Sequence, residues 1–259
     1  LHEPGKAPQS KSYMWLYRTS GYDPHDIAVK HPIVLYEYKS DRRSKHPEAF
    51  LKDFKGYCHA DGYDGYHALP ENITVVGCWS HARRKWDEAV KALPEKDREG
   101  SNVLRGKRYC DKLFEIERGL AELSVQERHA RRQELSKPLL EEFYSWIDSL
   151  NAVPKTGIGK AVHYTLGQRK YLERYLLDGR LEISNNRAER SIKPFVIDRK
   201  NFLFANTPRG AKASAVMFSL IETAKECKID PFAYLTYIFK NAPNLDIRND
   251  PNALASLLP

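Results

Sequence analysis

Ile73-Thr74-Val75-Val76-Gly77-Cys78-Trp79 runs straight into Ser80-His81-Ala82-Arg83-Arg84-Lys85-Trp86, and this junction decides the fold. The first seven residues carry no charge and include four β-branched side chains, the pattern of a strand buried on both faces. From Ser80 the period changes. Trp86, Ala89, Val90 and Leu93 recur at helical spacing, while His81, Arg83, Arg84 and Lys85 crowd the first turns. A fully buried strand followed at once by a helix belongs to an α/β domain with a parallel crossover.

Upstream, Gly56-Tyr57-Cys58-His59-Ala60-Asp61 reads as a small strand ending on an acid, preceded by a short helix around 47–54. Tyr13-Met14-Trp15-Leu16-Tyr17 and Pro32-Ile33-Val34-Leu35-Tyr36-Glu37-Tyr38 read as two further strands that pair antiparallel, with a turn after the first at 20–24. Residues 1–11, rich in Pro, Gly and Lys, read as an extended lead-in. Downstream, 95–150 is highly charged with apolar residues at helical spacing, such as Leu113, Ile116, Leu120 and Leu123. Gly and Pro punctuate 153–159, and another helix is expected over 160–177. Ser184-Asn185-Asn186 should open a helix that Pro194 ends. A short apolar piece at 202–204 and helices over 211–228 and 231–241 complete the chain. The expected architecture is a mixed α/β core over 1–94 and 181–259, interrupted by an all-helical insertion over 95–180 and closed by C-terminal helices.

Composition narrows the function classes. With 41% hydrophobic and 29% charged residues the chain can build a core, which excludes global disorder. Lys and Arg number 42 against 34 Asp and Glu, a net charge of +8 that favours a polyanionic partner. Cys58, Cys78, Cys110 and Cys227 form no C-x-x-C pair and read as reduced thiols of a cytoplasmic protein. Cys78 and His81 form a C-x-x-H pair, but no second pair at a suitable distance supports zinc. No apolar run approaches the roughly 20 residues that span a bilayer. Residue 1 is Leu, so the chain reads as a segment of something longer.

Two acids could carry chemistry. Asp61 follows a short strand, and ligand sites of open α/β sheets lie at the carboxyl ends of strands. An Asp-Gly turn is the ordinary alternative. Glu189 follows Asn185 and Asn186 by four and three positions, so a helix places two amides and a carboxylate on one face, flanked by Arg187 and Arg190. A plain surface helix is the alternative there. His81, Arg83, Arg84 and Lys85 are candidates for gripping phosphates at a helix start. Arg199, Lys200 and Arg209 are further candidates. Trp15, Trp79, Trp86 and Trp146 are expected in the core.

Ala60-Asp61-Gly62-Tyr63 with Tyr66, and Cys78 through Lys85, resemble the IS66 family of insertion-sequence transposases. So do Ile183 through Arg190, Pro194-Phe195-Val196, Arg199-Lys200-Asn201, Thr207-Pro208-Arg209-Gly210 and Ser219 through Ala224. The resemblance covers essentially the whole chain. It implies a ribonuclease-H-like fold in which three carboxylates, two aspartates and a glutamate, bind Mg²⁺ or Mn²⁺ at a two-metal site. Asp61 and Glu189 match two of the three as catalytic and metal-binding residues. Two hard cations about 3.5–4 Å apart would clamp the attacking and leaving oxygens of an in-line phosphoryl displacement. The helical insertion accounts for the long stretch between Asp61 and Glu189.

The family's first aspartate lies on a strand shortly before the segment matching Tyr13–Tyr17. Residues 1–12 contain no Asp, Glu3 is flanked by Pro and Gly, and Asp23, Asp26 and Asp41 fit turns. The expectation is therefore a transposase core that lacks its first catalytic strand and is inactive as this chain. Its partners are expected to be double-stranded DNA at element ends and target, further copies of itself on that DNA, and accessory proteins of the element, with no membrane. A nuclease that cuts without strand transfer, or a non-catalytic DNA-binding remnant, are the alternatives.

Overall fold

The computed structural model describes residues 7, 10–21, 30–202, 205, 207–246 and 249–259, and the side chains of all of these except Arg199, Phe202 and Pro251. The lead-in, the turn at 20–24 with Asp23, the nearby Asp26 and the apolar piece at 202–204 therefore lie largely outside the described residues. The chain divides into two compact units. One comprises Leu1–Ser20, Pro24–Arg43 and Arg187–Pro259, the other Gly21–Asp23 and Ser44–Asn186.

In the first unit β1 (Tyr13–Arg18) and β2 (Val34–Lys39) pair antiparallel, in register from Tyr13 opposite Lys39 to Arg18 opposite Val34. Alternation on β2 sends Val34, Tyr36 and Tyr38 inward and leaves Leu35 exposed. Val34 and Tyr36 pack with Ala215, and Met14, Leu16, Ile192, Phe195 and Phe218 lean on them. Ile192 and Phe195 come from a helix over Asn186–Phe202, Ala215 and Phe218 from one over Pro208–Glu226. The second of these helices also satisfies the backbone of β2. Tyr36 N–H donates to Ser219 Oγ at 2.8 Å, and Val34 N–H to Thr223 Oγ1 at 3.0 Å. Thr223 Oγ1 donates back to Val34 O at 3.0 Å. Hydroxyls one helical turn apart thus cover an edge that would otherwise be open to another strand. A last helix spans Pro231–Asn241, its first turn capped by Asp230, which accepts from Ala233 N–H at 2.7 Å.

In the second unit α1 (Lys45–Phe50) precedes β3 (Gly56–His59), which pairs parallel with β4 (Ile73–Val76). Then come α2 (Trp79–Lys91), α3 (Asn102–Gly119), α4 (Val125–Arg131), a π-helical turn (Arg132–Ser136) and α5 (Lys137–Asp148). α6 (Gly157–Gly167) and α7 (Arg169–Leu172) follow. Continuing the count, the helices over Asn186–Phe202, Pro208–Glu226 and Pro231–Asn241 are α8, α9 and α10. The core joins Val76, Trp79, Ala82 and Trp86 to Tyr109, Cys110 and Leu113 of α3, Leu140, Phe143, Tyr144 and Ile147 of α5, and Ala161 and Val162 of α6. Buried tryptophan N–H groups find partners: Trp79 Nε1 donates to Leu172 O at 3.0 Å, Trp86 Nε1 to Thr165 Oγ1 at 3.1 Å.

The expected antiparallel pair, the parallel strand pair and the run of helices between residues 95 and 177 are present in this mixed α/β chain. Several boundaries differ. β4 stops at Val76, not Trp79, because Gly77 N–H leaves the ladder for Tyr171 O at 2.9 Å and Trp79 N–H goes to Ile183 O at 3.1 Å. The expected helix at 47–54 spans Lys45–Phe50 instead. The helix expected over 160–177 breaks after Gly167 into α7 and a 3₁₀ segment over Glu173–Leu177. Pro194 does not end α8, which runs through it to Phe202. An internal proline forfeits one backbone hydrogen bond, and packing of Ile192 and Phe195 against the β2 cluster offsets that loss.

Candidate active site and nucleic-acid interface

In the second unit, Asp61 stands two residues beyond β3. Ala60 N–H donates to Val76 O at 3.0 Å, carrying the parallel ladder to the residue before it. Asp61 Oδ1 then accepts Tyr63 N–H at 3.1 Å, a side-chain turn that fixes the carboxylate. The two sequence readings meet here: the Asp-Gly turn is what holds the half-buried acid at the carboxyl end of a parallel strand. Gly62 permits a close approach, since a β-carbon there would lie 2.9 Å from the Tyr164 hydroxyl and 3.2 Å from the Gln168 amide carbon. Burial, with Cys78 and Asp61 adding to it, pushes the Tyr164 hydroxyl up to about 12, so it remains a neutral phenol near the acid.

The strand–helix junction also organises the entry to α8. Asn185 N–H donates to Cys78 Sγ at 3.4 Å, and the flanking Ile183 and Ser184 are buried. Asn185 Oδ1 is buried and has no hydrogen-bond partner among the described residues. Asn185 itself precedes the helix, so only Asn186 starts it. On α2, Arg83 Nε lies 2.5 Å from Asp111 Oδ1 and Lys85 Nζ 3.3 Å from Glu88 Oε2. Arg84 is exposed and His81 half-buried. The predicted basic cluster is therefore partly neutralised in place by Asp111 and Glu88.

In the first unit, Glu189 occupies the first turn of α8 and is half-buried. Arg18, which the sequence reading did not single out, braces that turn. Its side chain is only 3% exposed. Nη1 donates to Ser191 Oγ at 2.6 Å and Arg187 O at 3.4 Å, two groups that bracket Glu189 in sequence. Nη1 and Nη2 also reach Glu226 Oε1 and Oε2 at 3.1 and 3.0 Å, and Nε donates to Thr19 O at 3.1 Å. A cavity of about 360 Å³ here is lined by Arg18, Arg187, Arg190, Ser191, Glu222 and Glu226. Arg190, Lys200 and Arg209 are exposed, Arg187 is half-buried, and the Arg199 side chain lies outside the described residues.

Asp61 and Glu189 are hard oxygen donors of the kind Mg²⁺ and Mn²⁺ take. Asp61 belongs to the second unit and Glu189 to the first. Among the described residues no group of three or more His, Cys, Asp or Glu is placed to hold a metal ion, so the acids are offered singly and not as a completed shell. No described helix is long and apolar enough to cross a membrane.

A model of the transposase IS66 family matches residues 1–213, and one of the IS66 C-terminal element matches residues 219–259. Three proteins of Sinorhizobium fredii (strain NBRC 101917 / NGR234) are similar. Uncharacterized protein y4hP is 35% identical over 221 residues, 79% of this chain and 40% of its own length. Uncharacterized protein y4qI is 29% identical over 245 residues, 90% of this chain and 44% of its own length. Uncharacterized protein y4jD is 29% identical over 238 residues, 88% of this chain and 45% of its own length. The chain therefore spans less than half the length of these relatives. No solved structure matches it. With the family model covering residues 1–213 and the motifs at Asp61 and Glu189 inside that span, the chain belongs to the IS66 transposase family.

Proposed function

We propose that this chain is the catalytic core of a DNA transposase that cuts and joins DNA with divalent metal, on a ribonuclease-H-like core interrupted by a helical insertion over 95–180. Membership of the family along residues 1–213 and 219–259 is the observation that carries the reading. Asp61 and Glu189 are the residues assigned to Mg²⁺ or Mn²⁺. A pair of such ions, when bound, activates water or a 3′-hydroxyl and stabilises both oxygens of an in-line displacement.

The chain's own residues position the reactants. The turn at Tyr63 holds the Asp61 carboxylate still, and Arg18 braces the α8 turn that carries Glu189. Asn185 and Asn186 contact the substrate, and His81, Arg83, Arg84, Lys85, Arg187, Arg190, Arg199, Lys200 and Arg209 hold phosphates. The partners are element ends and target DNA in the cytoplasm, bound by more than one copy of the protein with accessory proteins of the element.

Cleavage and joining of a labelled element-end duplex in Mg²⁺ or Mn²⁺, by the chain extended upstream with the family's aspartate-bearing strand, tests the reading. Asp61→Asn and Glu189→Gln should each lower cleavage about 100-fold or more while duplex binding survives. Joined ends establish strand transfer, whereas nicks alone indicate a nuclease. Binding without metal-dependent cleavage leaves a DNA-binding protein, and undiminished cleavage by Asp61→Asn overturns the site.

A further inference from the structure

The helical insertion contributes neither Asp61 nor Glu189, yet one face of α3 faces the first turns of α2. Lys107, Asp111, Phe114 and Arg118 fall at helical spacing along α3. With α2 and the residues entering α8 they form a cavity of about 400 Å³ lined by Ser80, Arg83, Asp111, Phe114, Arg118 and Asn186, all in the second unit.

The charges here do not balance. Asp111 is shared by two cations, Arg83 Nε at 2.5 Å and Lys107 Nζ at 2.8 Å. Among the described residues Arg83 bonds through Nε alone, so its terminal nitrogens remain for another acceptor. Arg118 makes no side-chain hydrogen bond or ion pair to any described residue, although it lines the cavity. One acid, which Lys107 also engages from outside the lining, thus faces two guanidinium groups in the cavity.

Backbone donors add to this excess. Ser80 is the second residue of α2 and Asn186 the first of α8. N–H groups in first turns lack intrahelical acceptors and sit at the positive end of the helix dipole. The Ser80 hydroxyl has no partner among the described residues, and the neighbouring Asn185 leaves its buried Oδ1 unbonded. Phe114, partly buried against the core, supplies an apolar wall. Arg84 and Lys112, both exposed on the same two helices, extend the basic surface beyond a single anion.

We propose that this cavity is a phosphate-binding site that takes a backbone phosphate of DNA, so that the helical insertion grips the DNA through Arg118. The inference rests on the transposase reading, and the experiment separates the two. Fluorescence anisotropy of a labelled 30-base-pair duplex is measured against the 259-residue chain over a salt series. Arg118 is exposed, so Arg118→Ala should leave the fold intact, with a circular-dichroism melt as control. It should weaken binding about 3- to 10-fold at low salt and lower the slope of log affinity against log salt by about one. Arg118→Lys should restore the slope. Unchanged affinity and slope in Arg118→Ala, with a wild-type chain that binds, overturn the inference and leave the transposase reading standing. A wild-type chain that binds no duplex sinks both. Titration with inorganic phosphate distinguishes the source of the anion. If Arg118→Ala abolishes phosphate binding without altering duplex affinity, the site serves a free phosphate and the DNA assignment falls.

Discussion

His59 is the last residue of β3, and its Nε2 lies 2.7 Å from Gly77 O. Burial pushes its imidazole down to about 4, against the carbonyl contact that favours the protonated form. Folding therefore favours the neutral ring. The unfolded chain titrates near 6.5, so His59 contributes fully above that pH. Its contribution is lost as pH falls from about 6.5 toward 4, by about 3 kcal/mol in all. Urea unfolding at pH 7 and pH 4.5 should show a smaller acid loss in His59→Gln than in wild type. Equal losses would mean that the ring is not what titrates. Residue identity was legible in the sequence where the chemistry is local, as with the Asp61 turn. It was not where partners are remote. Arg18 ends a strand with no partner marked beside it in sequence, because Arg187, Ser191 and Glu226 stand 169, 173 and 208 positions away.

At the scale of elements, periodicity identified most strands and helices because burial is one-sided and repeats every two or 3.6 residues. Pro194 misled because a proline reports its local cost and not the packing that offsets it. Phe195, the next residue, sets its ring 6.2 Å from Tyr36 in a tilted contact and 5.3 Å from Phe218 edge to face. High charge between residues 95 and 150 also conceals a buried pair: Arg132 and Glu117 meet at 2.6 Å with side chains 0% and 5% exposed, and Arg132 also donates to Tyr175 O, Asp178 O and Leu181 O. Gly106 inside α3 has a similarly non-local cause. A β-carbon there would overlap the Trp86 ring, which is fully buried and tethered to Thr165. Alanine at a helical glycine ordinarily adds about 1 kcal/mol. Overpacking against a ring that cannot retreat costs about 1–3 kcal/mol. Gly106→Ala should therefore come out about 0–2 kcal/mol less stable in urea, and a variant more stable than wild type would show that α2 and α3 can separate without penalty.

The chain builds two unequal cores, the first from segments on either side of the second in sequence. The second unit buries sixteen residues in its main apolar cluster, whereas the first buries three in its own among the described residues. The first unit also exposes Phe232 and Phe239 of α10 at 81% and 61%. It is stitched from segments far apart in the chain: Val34 and Tyr36 bond to Thr223 and Ser219 across 189 and 183 positions. That distance is why its membership could not be read from neighbouring sequence. It also means that closing the unit costs more loop entropy for less buried surface. The first unit should open before the second, as low-stability cooperative units do. The four tryptophans report on this separately, since Trp15 lies in the first unit and Trp79, Trp86 and Trp146 in the second. Urea titration followed by tryptophan emission should show two transitions, the first of small amplitude. Trp15→Phe should erase that first amplitude and leave the second midpoint in place. A single transition that coincides in fluorescence and circular dichroism would instead mean that the units unfold as one cooperative body.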